Sequence, residues 1–342
     1  MINEKLFNPS GVVVVGGSDD VNKPGGAVLR NLLQSPFKGQ TYVVNPKADS
    51  VQGVKSCHTV EELPQVDCAI IAIAAKYCLH AVEVLAKEKG TRAFVILSAG
   101  FGEENKEGAA LERRIVEVID SVGGALIGPN CTGILTTNYN GSFTSPVPQL
   151  DPKGVDFISG SGATAIFIVD NGMRKGLKFN SVWSVGNSAQ IGVEEALEYL
   201  DESFDSEHSS RIKLLYIESI NNPEKFLRHA ASLIRKGCRI AAVKSGSSEA
   251  GGAASSHTGA LASPDIAVDA LFRKAGIVRC SGREELTTVA GIFMYPELKG
   301  RNIAIVTHAG GPAVMLTDAL SNGKLEVPHI EGPKAAELLG KL

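Results

Sequence analysis

The chain has 342 residues, enough for two or three domains at roughly 100–200 residues each, and long enough to bury a core without disulfide or metal staples. Hydrophobic residues make up 44% and charged residues 21%, which excludes a wholly disordered chain and a coiled coil. A net charge of −3 gives no electrostatic footprint for nucleic acid or an anionic membrane.

Glycine is over-used, with 37 residues against an average usage near 7%. The excess points to tight turns and to places where backbone approaches a ligand closely. The six cysteines are scattered with no C-x-x-C pair, so neither a zinc site nor a disulfide framework is expected. The N-terminus has no basic region followed by an apolar one, and no apolar run approaches about 20 residues. The expectation is a cytoplasmic protein with no membrane span.

In chain order, Gly11–Gly16 (GVVVVG) predicts a buried strand, followed by a glycine turn and a helix over about Gly26–Leu33. Strands follow at Thr41–Asn45 and Asp67–Ala74, a helix at Tyr77–Lys89, a strand at Arg92–Gly100, a helix at Glu104–Val122, and a strand with a turn at Gly124–Asn130. Apolar strands alternating with helices argue for a parallel sheet covered on both faces. The polar stretch Thr136–Gly154, with Pro146, Pro148 and Pro152, reads as a boundary. The alternation restarts with a strand at Val155–Ser159 and a helix at Gly162–Arg174. Strands at Ser181–Val185, Lys213–Ile217 and Ile240–Val243 alternate with helices at Val193–Leu200 and Pro223–Lys236. A helix near Pro264–Ala275 leads to a last strand at Gly276–Cys280, and Arg301–Leu320 predicts a third restart of one strand and one helix.

Three segments carry chemistry. Gly16–Leu33 places a glycine turn between a strand and a helix, a ready phosphate site, although its spacing is not G-x-G-x-x-G. The alternative is a tight strand–helix turn that binds nothing. The second strand ends Asn45-Pro46-Lys47, with a cation where NAD-binding units place an acid. That suits a nucleotide with an extra ribose phosphate, such as NADP or coenzyme A, against the alternative of a merely solvated lysine. Ser159, Ser161 and Gly162 lie between a strand and a helix and converge on its positive end, unless Ser161 is only an N-cap. Gly128–Gly133 offers Asn130, Cys131 and Thr132; with no base to activate it, Cys131 reads as a small turn residue. Ser245–Asp265 is almost wholly Gly, Ala, Ser and Thr around His257, an imidazole able to act as a nucleophile or to be an idle loop residue. Glu218, at a strand end, is placed to orient it. His58, His80, His208, His229 and His308 read as structural, and Lys23 and Lys244 flank elements without an assigned role.

These motifs, with Ser98–Phe101, Ser184–Asn187, Ile217–Ser219 and Ser256–Ala260, run in order along nearly the whole chain. Together they resemble the α-subunit region of the NDP-forming acyl-CoA synthetases, the family of ADP-forming acetyl-CoA synthetase and succinyl-CoA synthetase. The resemblance implies an α/β protein: a Rossmann-like CoA-binding domain over 1–145, a flavodoxin-like domain with a phosphohistidine loop over 150–290, and an incomplete third flavodoxin-like unit over 300–342. It implies that Gly17, Ser18, Asp19, Lys47, Leu97, Ser98 and Ala99 contact coenzyme A. Ser159, Ser161, Gly162 and Asn130 would hold phosphate, and Glu218 would hydrogen-bond His257, the residue phosphorylated. ADP or ATP (or GDP or GTP) with Mg2+ would belong to an ATP-grasp β subunit or domain, and the assembly would be an oligomer. No metal site is implied in this chain.

Against the family pattern, Gln190 replaces the acid usual in the acetyl branch, Gly160 a larger polar residue, and Ile166 a tyrosine of the succinyl branch. The last departure favours a small or medium monocarboxylate. The alternatives are a catalytically silent CoA- or acyl-CoA-binding regulatory module and an NADP-dependent oxidoreductase.

Overall fold

The computed structural model describes residues 2–246, 265–329 and 331–341. It divides into two compact units, Met1–Met294 and Tyr295–Leu342.

The first unit begins with a seven-stranded sheet: β1 (Gly11–Val15), β2 (Gln40–Val44), β3 (Ser50–Val51), β4 (Val54–Cys57), β5 (Cys68–Ile71), β6 (Ala93–Ile96) and β7 (Ala125–Ile127). The order is β3-β4-β2-β1-β5-β6-β7, parallel except for the β3–β4 pair. Helices α1 (Pro24–Gln34), α2 (Ala75–Lys87) and α3 (Lys106–Ser121) connect its strands. The four valines of β1 show why the run is continuously apolar. Val12 and Val14 pack with Val28, Leu29 and Leu32 of α1, while Val13 and Val15 pack with Val82 and Leu85 of α2. Both faces of the strand are buried, so alternation with polar residues has no place. The chain reverses its winding between β1 and β5, which puts the crevice of this sheet at their C-terminal ends.

The second sheet has the order β14-β13-β12-β10-β11-β8-β9, from β8 (Gly133–Thr136), β9 (Asn140–Ser142), β10 (Leu150–Ser159), β11 (Phe179–Ser184), β12 (Ile212–Ile217), β13 (Arg239–Lys244) and β14 (Val278–Cys280). Around it lie α4 (Gly162–Arg174), α5 (Val193–Glu202), α6 (Pro223–Arg235), α7 (Asp265–Ala275) and α8 (Arg283–Phe293). Strands β10 to β14 are parallel, and β8 runs antiparallel to both β11 and β9. β10 is the first of the parallel strands in chain order and has β11 on one side and β12 on the other, so the second crevice opens beside its C-terminal end.

The stretch read from sequence as an irregular boundary, Thr136–Gly154, instead supplies β9 and the start of β10. Two of its polar residues are buried and satisfied: Asn140 and Ser142 are 3% and 4% exposed, and the Ser142 hydroxyl donates to Thr132 O at 2.8 Å. Pro152 is accommodated because the β10–β11 register shifts between Leu150 and Val155, a bulge where no ladder donor is required. Helix α8 leaves little trace in the sequence, because its buried stripe is only Leu286, Thr287 and Ala290.

Tethers far apart in sequence hold the two sheets together. Phe7 stacks on Tyr199 with ring centroids 4.5 Å apart, and the buried Tyr139 hydroxyl donates to Leu6 O at 2.8 Å. Gln190 accepts from Leu126 N at 2.6 Å and donates to Asp120 at 2.6 Å. An acid at position 190 lacks the donor for Asp120, so the departure from the family pattern has a structural use here.

In the second unit the helices are α9 (Gly310–Asn322) and α10 (Pro333–Leu339). The strand expected after Arg301 is absent among the described residues. Only an isolated bridge, Asn302 to Glu326, forms, and Val306 is 90% exposed. An apolar run becomes a parallel strand only where neighbours complete its ladder and cover its faces.

Candidate functional site

At the first crevice the β1–α1 loop is wound tightly. Gly16 has φ +89°, and a Cβ there would lie 2.6 Å from Ala72 O, at the end of β5. Only glycine lets the ends of β1 and β5 meet this closely. Asn45 Nδ2 donates to Gly17 O at 2.8 Å, and its Oδ1 accepts from Lys47 N at 2.9 Å. Gln52 clasps the loop from outside: its amide donates to Ser18 O at 2.7 Å and Gly26 O at 2.9 Å, and its backbone N donates to Asp19 Oδ1 at 2.7 Å. Helix α1 starts at Pro24 with no side-chain cap, so its positive end faces the loop.

Of the residues expected to touch CoA, Asp19, Lys47 and Ala99 are exposed, and Ser18 and Ser98 are half-buried on the crevice rim. Gly17 is buried behind them, and Leu97, 6% exposed, packs into the core below the rim. The Ser98 hydroxyl donates to Ile73 O, tying the ends of β5 and β6.

At the second crevice Ser161 caps α4, accepting from Thr164 N at 3.4 Å. Ser159 is fully buried; its hydroxyl donates to Ser161 O at 2.8 Å and shapes the loop from within. A Cβ on Gly162 would lie 2.7 Å from the Thr132 methyl, so α4 begins in contact with the loop after β7. Thr132 N in turn donates to the buried Ser184 hydroxyl at 3.0 Å. Asn130, at φ +56°, follows the cis Gly128–Pro129 bond, and its amide donates to Asn187 Oδ1 at 3.2 Å. Gly160, Gly186, Asn187, Ser188, Glu218 and Ser219 line a pocket of about 30 Å³. That is room for a small occupant and far below a nucleotide.

Glu218 follows β12, and a Cβ on Gly160 would lie 3.4 Å from its Cγ, so the two share this pocket wall. Lys244 ends the neighbouring β13 and is 5% exposed. Burial pulls its pKa down, against the attraction of Asp265 and Glu218. His257 lies outside the described residues, so the pairing of Glu218 with His257 is not on view.

Cys131 is not a nucleophile in this setting. Burial pushes its thiol up to about 12, and Sγ donates to Ile96 O at 3.2 Å, so it reads as a packed turn residue. Gln52, Glu103 and Glu194 carry no role in the sequence reading, and Asn187 stands only inside the Ser184–Asn187 motif, without one of its own. Glu194 is 3% exposed, its pKa raised by burial, and it accepts from Asn221 N and Asn222 N at the pocket edge. Glu103 accepts from Asn187 Nδ2 at 2.5 Å. Among the described residues no cluster of His, Cys, Asp and Glu is suited to a metal ion, and no helix is long and apolar enough to cross a membrane.

Residues 11–137 match the family model of a CoA binding domain, and residues 152–293 that of a succinyl-CoA ligase like flavodoxin domain. The chain is 37% identical over 337 residues to acetate–CoA ligase (ADP-forming) II subunit alpha of Pyrococcus furiosus, covering 97% of this chain and 72% of that protein. The chain belongs to the NDP-forming acyl-CoA synthetase family. A second synthetase of the family, acetate–CoA ligase (ADP-forming) I of Archaeoglobus fulgidus, is 38% identical over 92% of this chain, which spans 45% of that protein. The solved structure of Ca. Korarchaeum cryptofilum dinucleotide forming acetyl-coenzyme A synthetase 1, in complex with phosphate and ADP, superposes with a TM-score of 0.83 at 29% identity. It covers 96% of this chain and 70% of that one. Synthetase membership favours neither the NADP-dependent oxidoreductase nor the silent binding module. It accounts for the two crevices as parts of one acid–thiol ligase fold, Rossmann-like and then flavodoxin-like.

Proposed function

We propose that this chain is the CoA and phosphohistidine part of an NDP-forming acyl-CoA synthetase acting on a small or medium monocarboxylate. The observation that carries the reading is that Asn187 and Glu218 line one small pocket at the second crevice, with Gly160, just before α4, in its wall and Asn130 hydrogen-bonded to Asn187.

CoA lies along the first crevice, its phosphates on Gly17, Ser18, Asp19 and the start of α1, its ribose phosphate near Lys47, and its thiol arm past Leu97, Ser98 and Ala99. Phosphate occupies the start of α4, held by Ser161, Gly162, Asn130 and the loop that Ser159 shapes. Attack of a phosphate oxygen on the thioester carbonyl forms the acyl phosphate and releases the CoA thiolate. His257 then attacks phosphorus, the carboxylate leaves, and the phosphoryl group sits on imidazole. Glu218 orients the ring and offsets the charge of the imidazolium. Transfer to ADP or GDP, with its Mg2+, takes place on an ATP-grasp partner subunit or domain, in an oligomeric assembly. The relatives named as α subunits support a β partner.

The reading is tested by calorimetric titration with CoA and NADPH. The expected result is one-site binding of CoA, weakened about tenfold by Lys47→Ala, as for loss of one charge-assisted contact, with no binding of NADPH. Binding of NADPH in place of CoA contradicts the reading.

A further inference from the structure

We propose that Glu103 couples the CoA loop to the phosphate pocket, as a positioning residue whose two carboxylate oxygens hold both sides at once. The inference rests on the CoA and phosphate assignments above and adds a link between them.

Glu103 lies in the loop after β6, five residues beyond Ser98. Its Oε1 accepts from Gly100 N at 2.7 Å and Phe101 N at 3.3 Å, fixing the backbone that follows the CoA-contacting strand end. Its Oε2 accepts from the amide of Asn187, 84 positions away in the other sheet's loop. That amide presents its own oxygen to Asn130 Nδ2 at 3.2 Å, while Asn187 N donates to Pro129 O at 3.0 Å. Asn187 also lines the pocket that holds Glu218. A continuous chain of hydrogen bonds therefore runs from the CoA loop through Glu103 and Asn187 to Asn130. Glu112 reinforces it, accepting from Asn187 Nδ2 at 2.9 Å and Gly102 N at 3.3 Å.

The link requires a carboxylate. An ionised carboxylate is an acceptor on both oxygens, and every partner of Glu103 is a donor. Burial works against its charge, but the hydrogen bonds from Asn187, Gly100 and Phe101 outweigh it and hold the pKa below the ordinary glutamate value. A glutamine at this position satisfies Gly100 but turns an NH2 toward the NH2 of Asn187. Asn187 must then rotate, and Asn130 loses its acceptor.

If CoA fixes the Ser98–Gly100 segment, it fixes the Glu103 carboxylate and, through it, the Asn130 amide that phosphate needs. The two ligands then favour one another by the same factor in either order of addition.

The test measures the dissociation constant of inorganic phosphate, by calorimetry, with and without saturating CoA. In the wild-type chain CoA is expected to tighten phosphate about fivefold or more. In Glu103→Gln each ligand still binds alone and the ratio falls to about one. Glu103→Asp, a methylene shorter, reaches only one of its two partners and gives the same result if the glutamine variant fails to fold. A ratio near one in the wild type, or an unchanged ratio in a folded variant, overturns the link while leaving the CoA and phosphate sites standing. Failure of the wild type to bind either ligand overturns both.

Discussion

Lys213→Met lowers the stability of the protein by about 3–5 kcal/mol, the range for stripping one partner from a buried ion pair. Lys213 Nζ lies 2.5 Å from Asp156 Oδ2, and both side chains are 1% exposed. The ammonium also donates to Ser210 O at 2.8 Å, while Asp156 Oδ1 accepts from Ser181 Oγ at 2.6 Å and Asn180 Nδ2 at 2.7 Å. Removing the ammonium leaves a carboxylate out of water with two neutral donors. The charge then has no compensating partner in a low-dielectric setting. The chain reports on this event itself. Trp183 is its only tryptophan, 1% exposed, and its Nε1 donates to Ser181 Oγ, the hydroxyl that holds Asp156. Urea unfolding followed by tryptophan emission gives the loss in the single variant. Adding Asp156→Leu to Lys213→Met recovers most of it, because the stranded charge is gone. A loss below about 1 kcal/mol in the single variant would show that the pair is solvated in solution, as exposed pairs are.

Gly162→Val weakens phosphate binding by at least about tenfold, or 1.4 kcal/mol, and leaves CoA affinity unchanged. The new Cβ would lie 2.7 Å from the Thr132 methyl and 3.5 Å from Ser184 Oγ. Thr132 cannot retreat freely, because its backbone N is held by Ser184 and its O by the Ser142 hydroxyl. The start of α4 must therefore move away from the loop that carries Asn130, at an overpacking strain of about 1–3 kcal/mol. Calorimetry with each ligand separates the two crevices. An equal loss for CoA would mean that the strain spreads through the whole first unit.

The sequence made the parallel sheets legible because strands buried on both faces leave no alternation: the valines of β1 and the Ile212–Ile217 run carry that pattern. Glycine turns after β1 and β10 marked both crevices, since close approach excludes any side chain there. Other features were not legible. Gln52, Glu103 and Asn187 act through partners 26 to 84 positions away, and no local period encodes such a pairing. β9 is written in Asn, Gly and Ser, residues that read as loop, and becomes strand because β8 and buried hydrogen bonds satisfy it. The apolar run after Arg301 shows the converse. A strand-like pattern without a neighbouring strand among the described residues yields one bridge.

Whether this chain carries a phosphoryl group on His257, between the CoA crevice and a nucleotide on its partner, is open to direct labelling. The chain, supplied with an ATP-grasp partner of the family, is incubated with acetyl-CoA and radiolabelled phosphate and then denatured. The expected result is a label on this chain that is lost in acid and stable in base, absent when CoA replaces acetyl-CoA and absent in His257→Asn. Label that persists in His257→Asn, or acyl-CoA turnover with an unlabelled chain, would contradict it.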